Sequence, residues 1–421
     1  MRSWLAVILL FSGMCLAQSI PAPGGPAPRR QLDTLPSPSL PFSPGNWSQL
    51  TKLISGGPLS SFYFGYSVAI AGDTVVVGTQ PSITNSTVAY VFLKNAQGWQ
   101  SSLPVGSLKI PIENAFFESV AIDGDTVVVG VPYEYFSSSG AVFVYVKPAG
   151  GWTDNLAPTA VLTSTEGEDS YFGQSVAISG NTIVVGDGGY SATLLGAAYV
   201  YVKPAGGWRD TTETAKLTTT DGAAGDGLGT SVSISGATIA VGAPQDGFQN
   251  GKAYVYVEPA GGWTSTTQTA ELTTNGTYPG AGTSIATTGN VVLTGAPDNG
   301  GGGYIFVEPA SGWRNMRETA ILTPGDGQQF YFGARVGLSG NIAVLGASER
   351  GSRRNYGAGA VYVFEEPASG WQNMSSTTVL TGSDARYYSA LGSSVAIDGK
   401  VIVTGAQPFF SQGAAYIFGL P

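Results

Sequence analysis

The sequence predicts an all-β chain folded as a seven-bladed β-propeller, with four antiparallel strands per blade and a ring closed by the N-terminal strand completing the last blade. Three observations predict it. A phrase first met as Phe64-Gly65-Tyr66-Ser67-Val68-Ala69-Ile70-Ala71-Gly72-Asp73-Thr74-Val75-Val76-Val77-Gly78 recurs seven times, its hairpin glycine falling at Gly72, Gly124, Gly180, Gly236, Gly289, Gly340 and Gly399. The resulting period of 51 to 59 residues, filled by short β-branched runs, belongs to a radial repeat of small sheets. Finally, one strand type is missing from the last repeat and present in excess before the first.

Within a repeat, strands A and B come first. Ser175-Val176-Ala177-Ile178 and Thr182-Ile183-Val184-Val185 flank Gly180-Asn181, a two-residue loop with glycine leading, which suits a type II′ hairpin. Strand C, Ala197 to Val202, is apolar at nearly every position, as expected where neighbouring blades cover both faces. After the breaker Pro204-Ala205-Gly206-Gly207, the segment from Trp208 to Thr218 alternates and is more polar, fitting an outermost strand D.

Strand D also predicts the closure. Tryptophans open a D strand at Trp99, Trp152, Trp208, Trp263, Trp313 and Trp371, yet the last unit, Leu391 to Phe418, ends after strand C. The missing copy is Trp47-Ser48-Gln49-Leu50-Thr51-Lys52-Leu53-Ile54 at the other end of the chain. Closing a loop of ~370 residues costs roughly 5 kcal/mol. Burying Trp47 with two or three of Leu50, Leu53 and Ile54 returns about 1.5 to 3 kcal/mol each, so the clasp wins by a small margin.

Composition agrees. Sixty-one glycines suit tight turns and crowded inner strands, and 11% charged residues leave apolar material for seven sheet-on-sheet interfaces. Helix signals are essentially absent. Residues 1–17 read as a signal peptide: Arg2, an apolar run from Trp4 to Phe11, and Cys15-Leu16-Ala17 with cleavage expected after Ala17. The expected localisation is secreted, extracellular or cell-surface. The apolar run is too short to span a bilayer. Cleavage would remove Cys15, the only cysteine, leaving no disulfide or thiol. Residues 18–45, rich in proline, read as a semi-extended linker, and residues 46–421 as the ring. Sequons begin at Asn46, Asn85, Asn275 and Asn373.

The paired signatures Phe64-Gly65 with Gly78, Phe172-Gly173 with Gly186, Leu228-Gly229 with Gly242-Ala243-Pro244, Ala281-Gly282 with Gly295-Ala296-Pro297, and Phe332-Gly333 with Gly346-Ala347-Ser348 resemble FG-GAP repeats, the units of the integrin α-subunit propeller and of many secreted bacterial proteins. Phe117-Glu118 and Leu391-Gly392 open degenerate copies. The resemblance implies an adhesion-type binding ring. It also implies an acidic calcium loop in the A-to-B hairpin of some members, but the hairpins here, such as Gly72-Asp73 and Gly180-Asn181, hold only two residues. No cofactor is therefore expected; calcium is the alternative, with its loop motif absent and the acidic clusters Glu166-Gly167-Glu168-Asp169 and Asp221 with Asp226 lacking ligand spacing.

With no histidine and no mature cysteine, Ser-His-Asp, Cys-His and ordinary zinc chemistry are excluded. Acidic residues exceed basic ones by nine, which disfavours nucleic acid and anionic membranes. Binding is the better expectation. The face of B-to-C loops and D-to-A crossings varies most between repeats, and it offers Tyr133, Tyr135, Phe136, Tyr190, Phe248, Arg350, Arg353, Arg354, Tyr356, Phe409 and Phe410 as ligand-face candidates. The D-to-A aromatics Phe62, Tyr63, Phe116, Tyr171, Phe330, Tyr331, Tyr387 and Tyr388 are expected to wedge between blades. The leading reading is a non-catalytic module for an extracellular protein partner, and the alternative is a lectin-like ring for a glycan. A glycoside hydrolase or lyase ranks below both.

Overall fold

The computed structural model describes residues 46–56, 63–79, 87–100, 102–111, 115–116, 119–134, 140–165, 171–188, 195–246, 250–276, 278–327, 330–350, 357–385, 389–407 and 413–420. Strands A to D of blade 1 are Val68–Ala71, Thr74–Gly78, Thr87–Leu93 and Gly106–Lys109; those of blade 2 are Ser119–Asp123, Thr126–Val131, Ala141–Val146 and Ala160–Leu162. Blade 3 has Ser175–Ser179, Thr182–Asp187, Ala197–Val202 and Ala215–Thr218; blade 4 has Ser231–Ser235, Thr238–Ala243, Lys252–Val257 and Ala270–Thr273. Blade 5 has Ser284–Thr287, Val291–Ala296, Gly302–Val307 and Ala320–Thr323; blade 6 has Arg335–Ser339, Ile342–Ala347, Ala360–Glu365 and Thr378–Leu380. Blade 7 combines Leu391–Asp398, Val401–Ala406 and Ala414–Gly419 with the N-terminal strand Ser48–Leu53. The one helical element among the described residues is a short 3-10 turn, Asp298–Gly300.

The clasp forms in antiparallel register, with Ser48 opposite Gly419, Lys52 opposite Tyr416 and Leu53 opposite Ala415. Each A strand lies beside the next, and that of blade 7 lies beside that of blade 1, so the ring is shut. Trp47 and Leu53 are buried as expected, whereas Leu50 and Ile54 are 38% and 42% exposed and contribute less than the sequence suggested. The hairpin glycines take positive φ at Gly72, Gly124, Gly180, Gly236, Gly340 and Gly399 while the residues after them do not, which is the II′ signature.

Each apolar cluster draws on two neighbouring blades. Val128, Val142 and Val144 of blade 2, for example, pack on Val176, Ile178, Ile183 and Val185 of blade 3. Consecutive residues point to opposite faces and both faces are covered, so Val127, Val128 and Val129 are all fully buried.

At five junctions the glycine pair of the repeat is the stitch between blades. The N–H of Gly229 donates to the Gly242 carbonyl of its own blade at 3.0 Å, while the Gly229 carbonyl accepts from Ser175 Oγ of the preceding blade at 2.9 Å. The same inter-blade bond joins Ser119 to Gly173, Ser231 to Gly282, Ser284 to Gly333 and, across the closure, Ser394 to Gly65 at 2.8 Å. A Cβ at Gly186 would collide with the Gly229 carbonyl, and Gly130, Gly242, Gly295, Gly346 and Gly405 stand in the same relation to the next blade. Phe64, Phe172 and Phe332 stack edge-on or tilted against two aromatic residues of their own strand C, so these phenylalanines fill the wedge between blades. In blade 5, where Ala281 replaces phenylalanine, Tyr278 packs on Tyr304 instead.

A feature not expected from sequence is a fifth, parallel strand on several blades. Residues just after the tryptophan of one blade pair with the outer edge of the preceding strand D: Thr266–Thr267 on blade 3, Met316–Arg317 on blade 4 and Met374–Ser375 on blade 5. These hooks cover edges that would otherwise be open. The tryptophans behind them, Trp263, Trp313 and Trp371, are buried, at 4% to 7% exposure, so their repetition serves packing.

Candidate functional site

The B-to-C loops and D-to-A crossings meet on one face. Three blade junctions there carry the same polar device, an aspartate after one blade's strand D bonded to a strand-C tyrosine of the next blade and to a cation. At the blade 3–4 junction Lys252 lies 2.8 Å from Asp221, 3.2 Å from Asp246 and 2.8 Å from Glu271, and Tyr254 donates to both aspartates. Burial pulls the Lys252 ammonium down, but the bonds to Asp221, Glu271 and Asp246 outweigh it and hold the pKa above the usual lysine value. Burial together with the Asp246 bond pushes the Tyr254 phenol up. At the 5–6 junction Arg350 binds Asp326 at 2.8 and 2.9 Å, and Tyr362 donates to the same carboxylate at 3.0 Å. At the 6–7 junction Lys52 of the clasp reaches Asp384 at 2.6 Å, and Tyr416 donates to it at 2.7 Å.

Two features singled out in the sequence thereby find their place. Arg350 is turned inward, its guanidinium committed to Asp326 and lying over the Tyr362 ring. Asp221 and Asp226 are likewise structural, the latter accepting from the Ala223 N–H at 2.6 Å. Tyr133 and Glu134 form a two-residue strand paired with Ala115–Phe116, which ties the B-to-C loop of blade 2 to its D-to-A crossing. Tyr135, Phe136, Tyr190, Phe248, Arg353, Arg354, Tyr356, Phe409 and Phe410 lie outside the described residues, as do Phe62, Tyr387 and Tyr388.

The wedge expectation for the D-to-A aromatics is corrected at three positions. Tyr63, Phe330 and Tyr331 are 50%, 44% and 45% exposed, because the phenylalanine that follows each tyrosine occupies the inter-blade space. Tyr63 and Tyr331 also sit at positive φ, 67° and 51°, where blades 4 and 5 place Gly227 and Gly280. A side chain there costs about 1 to 2 kcal/mol. Beside Tyr331, the parallel bridge of Gly301 to Phe332 brings up the acidic turn at Asp298. Glu349, half-buried, has its carboxyl pushed above the usual range by burial, and the Tyr331 phenol is raised by burial and by Glu349 and Asp298. The result is a strained aromatic surface next to negative charge.

Asp73 pairs with Lys94 at 3.5 Å and Asp125 with Lys147 at 3.3 Å, and among the described residues no three His, Cys, Asp or Glu side chains gather as a metal-binding group.

A family model described as FG-GAP repeat matches residues 47–92, 159–201, 211–256, 316–364 and 374–418, more than half the chain. The chain belongs to the FG-GAP repeat family. The stretches left unmatched include strands A to C of blade 2, with Glu118 in place of the stitching glycine, and most of blade 5, with Ala281 in place of phenylalanine. No curated protein matches the chain. Among solved structures it is similar to the WD40 β-propeller domain of Doa1, at 12% identity and TM-score 0.54 over 89% of this chain and 97% of that one, a likeness of fold alone. The computationally designed Ika8 protein aligns at 14% identity and TM-score 0.49, over 88% of this chain and all of the other.

Proposed function

We propose that this FG-GAP ring is a secreted or cell-surface, non-catalytic binding module that grips an extracellular protein through the face of B-to-C loops and D-to-A crossings. The observation that carries the reading is Tyr331, with Tyr63 as its counterpart: an exposed aromatic that folding does not require, held in a left-handed backbone conformation that Gly227 and Gly280 adopt in other blades. Tyrosine supplies large contact area with few rotors, which is why it anchors protein interfaces. The carboxylates of Asp298 and Glu349 favour a partner surface that brings cationic groups to this junction. The family and the absence of histidine in the sequence support a non-catalytic role. Export rests on the apolar run after Arg2 and on the Ala17 cleavage signal.

The test replaces Tyr63 and Tyr331 by glycine. Glycine relieves the backbone strain, so the melting temperature should hold or rise, while affinity for a partner recovered with the wild-type ring should fall about tenfold per position. Unchanged affinity in both variants would remove this face from the interface. A glycan array run alongside separates the alternative: saturable binding to one sugar class would replace the protein partner by a carbohydrate.

A further inference from the structure

Among the described residues, six of the seven D strands have their outer edge bonded by the segment that follows the next blade's tryptophan. Blade 1 is covered through Leu156, blade 2 through Thr211 and blade 7 through Ser102, whose carbonyl accepts from the Ile54 N–H at 3.0 Å; blades 3, 4 and 5 carry the parallel pairs described above. In most of these a polar side chain one residue earlier also accepts from the middle of the strand: Asp210 from Val161 N–H, Ser265 from Lys216, Asn315 from Glu271 and Asn373 from Ile321, at 2.8 to 3.0 Å.

Blade 6 differs, and the sequence says why. The interval from tryptophan to the buried leucine of strand D is nine or ten residues in six copies but only six between Trp47 and Leu53. The clasp thus runs straight from Trp47 into its strand and omits the three residues that would hook blade 6. Gln49 still accepts from Ser383 N–H at 2.9 Å at the end of that edge. Among the described residues, however, the backbone N–H groups of Val379 and Thr381 meet no acceptor where Ile321 meets Asn373 and where Thr163 meets Thr211.

We propose that the outer edge of Thr378–Leu380 receives a short extended segment of another polypeptide, laid parallel to the strand and carrying Asn or Asp followed by Met or Thr. The chemistry is set by the hooks that fill the same place elsewhere in the ring. A second copy of this chain has its own hooks engaged. The stretch before Trp47 has proline at 36, 38, 41 and 44, which lack the N–H that Thr211 and Leu156 donate back to the strand. Addition to a free sheet edge is an established mode of peptide capture.

The probe is a peptide copying residues 313–319, Trp-Arg-Asn-Met-Arg-Glu-Thr, with its scrambled form as control. In the free protein Val379 and Thr381 amides should exchange about tenfold faster than Ile321 and Thr323, and the peptide should bind saturably and slow them to the same rate. Inserting Asn-Met-Ser between Trp47 and Ser48 should let the chain hook itself, raise the melting temperature and abolish peptide binding. Equal exchange rates in the free protein, or peptide binding retained by the insertion variant, would overturn the proposal. If deleting residues 18–45 is what speeds the two amides, the occupant is the chain's own linker and the proposal fails.

Discussion

Gly186 condenses the logic of the repeat into one residue. It has an ordinary strand conformation, so turn geometry does not require glycine there; the Gly229 carbonyl of the next blade does, by standing where a Cβ would go. Gly186→Ala should therefore lower stability by about 3 kcal/mol through overpacking at a blade junction, read as a shift in the denaturant midpoint. The same substitution at Gly72, whose hypothetical Cβ meets nothing within 4 Å, acts only through its positive φ and should cost about 1 kcal/mol. Equal losses at the two sites would show that contact between blades is not what selects the glycine. At this scale the motif glycines were legible in sequence, but their reason was not, because the colliding atom belongs to a residue 43 positions away.

Among the elements, the N-terminal strand is held by charge as well as by pairing. Lys52 and then Tyr416 bond Asp384 and hold its carboxyl below the usual value of 3.8. A carboxylate depressed in the folded state contributes stability that is complete above its unfolded pKa and is lost as pH falls through the folded value. The contribution of this cluster should thus fade below about pH 4. In Lys52→Met the melting temperature should drop at neutral pH by the modest amount expected of a half-exposed pair, and the difference from wild type should narrow as the pH falls below about 4. A pH-independent difference would assign the effect to packing of the lysine stem. The strand itself was legible as a displaced D copy, since Trp47 and Leu53 repeat the pattern. The parallel hooks were not: two-residue segments such as Met316–Arg317 have no periodicity, and their partners lie a blade away.

The whole molecule depends on the clasp. Deleting residues 46–55 removes Trp47 and Leu53 from the interior and leaves strand C of blade 7 as an open edge. The burial of two side chains, about 1.5 to 3 kcal/mol each, and the strand pairing are lost, while roughly 5 kcal/mol of closure entropy is regained, so the net loss is set by the pairing and packing of the strand. The deletion variant should melt many degrees lower; an unchanged midpoint would remove closure as a source of stability.

What the sequence determined by itself was the periodic part of this protein. Seven copies of a β-branched hairpin, an apolar third strand and a counted set of tryptophans specify the number of blades, their strand order and their closure, because all of these follow from local pattern and copy number. Which side chains reach solvent was decided by tertiary structure. Arg350 looked like a free surface cation and is bound to Asp326, while Tyr331 looked like a wedge and is exposed because Phe332 took that space. Exposure at a junction is settled by competition between neighbours from two blades, and a linear pattern does not record who wins.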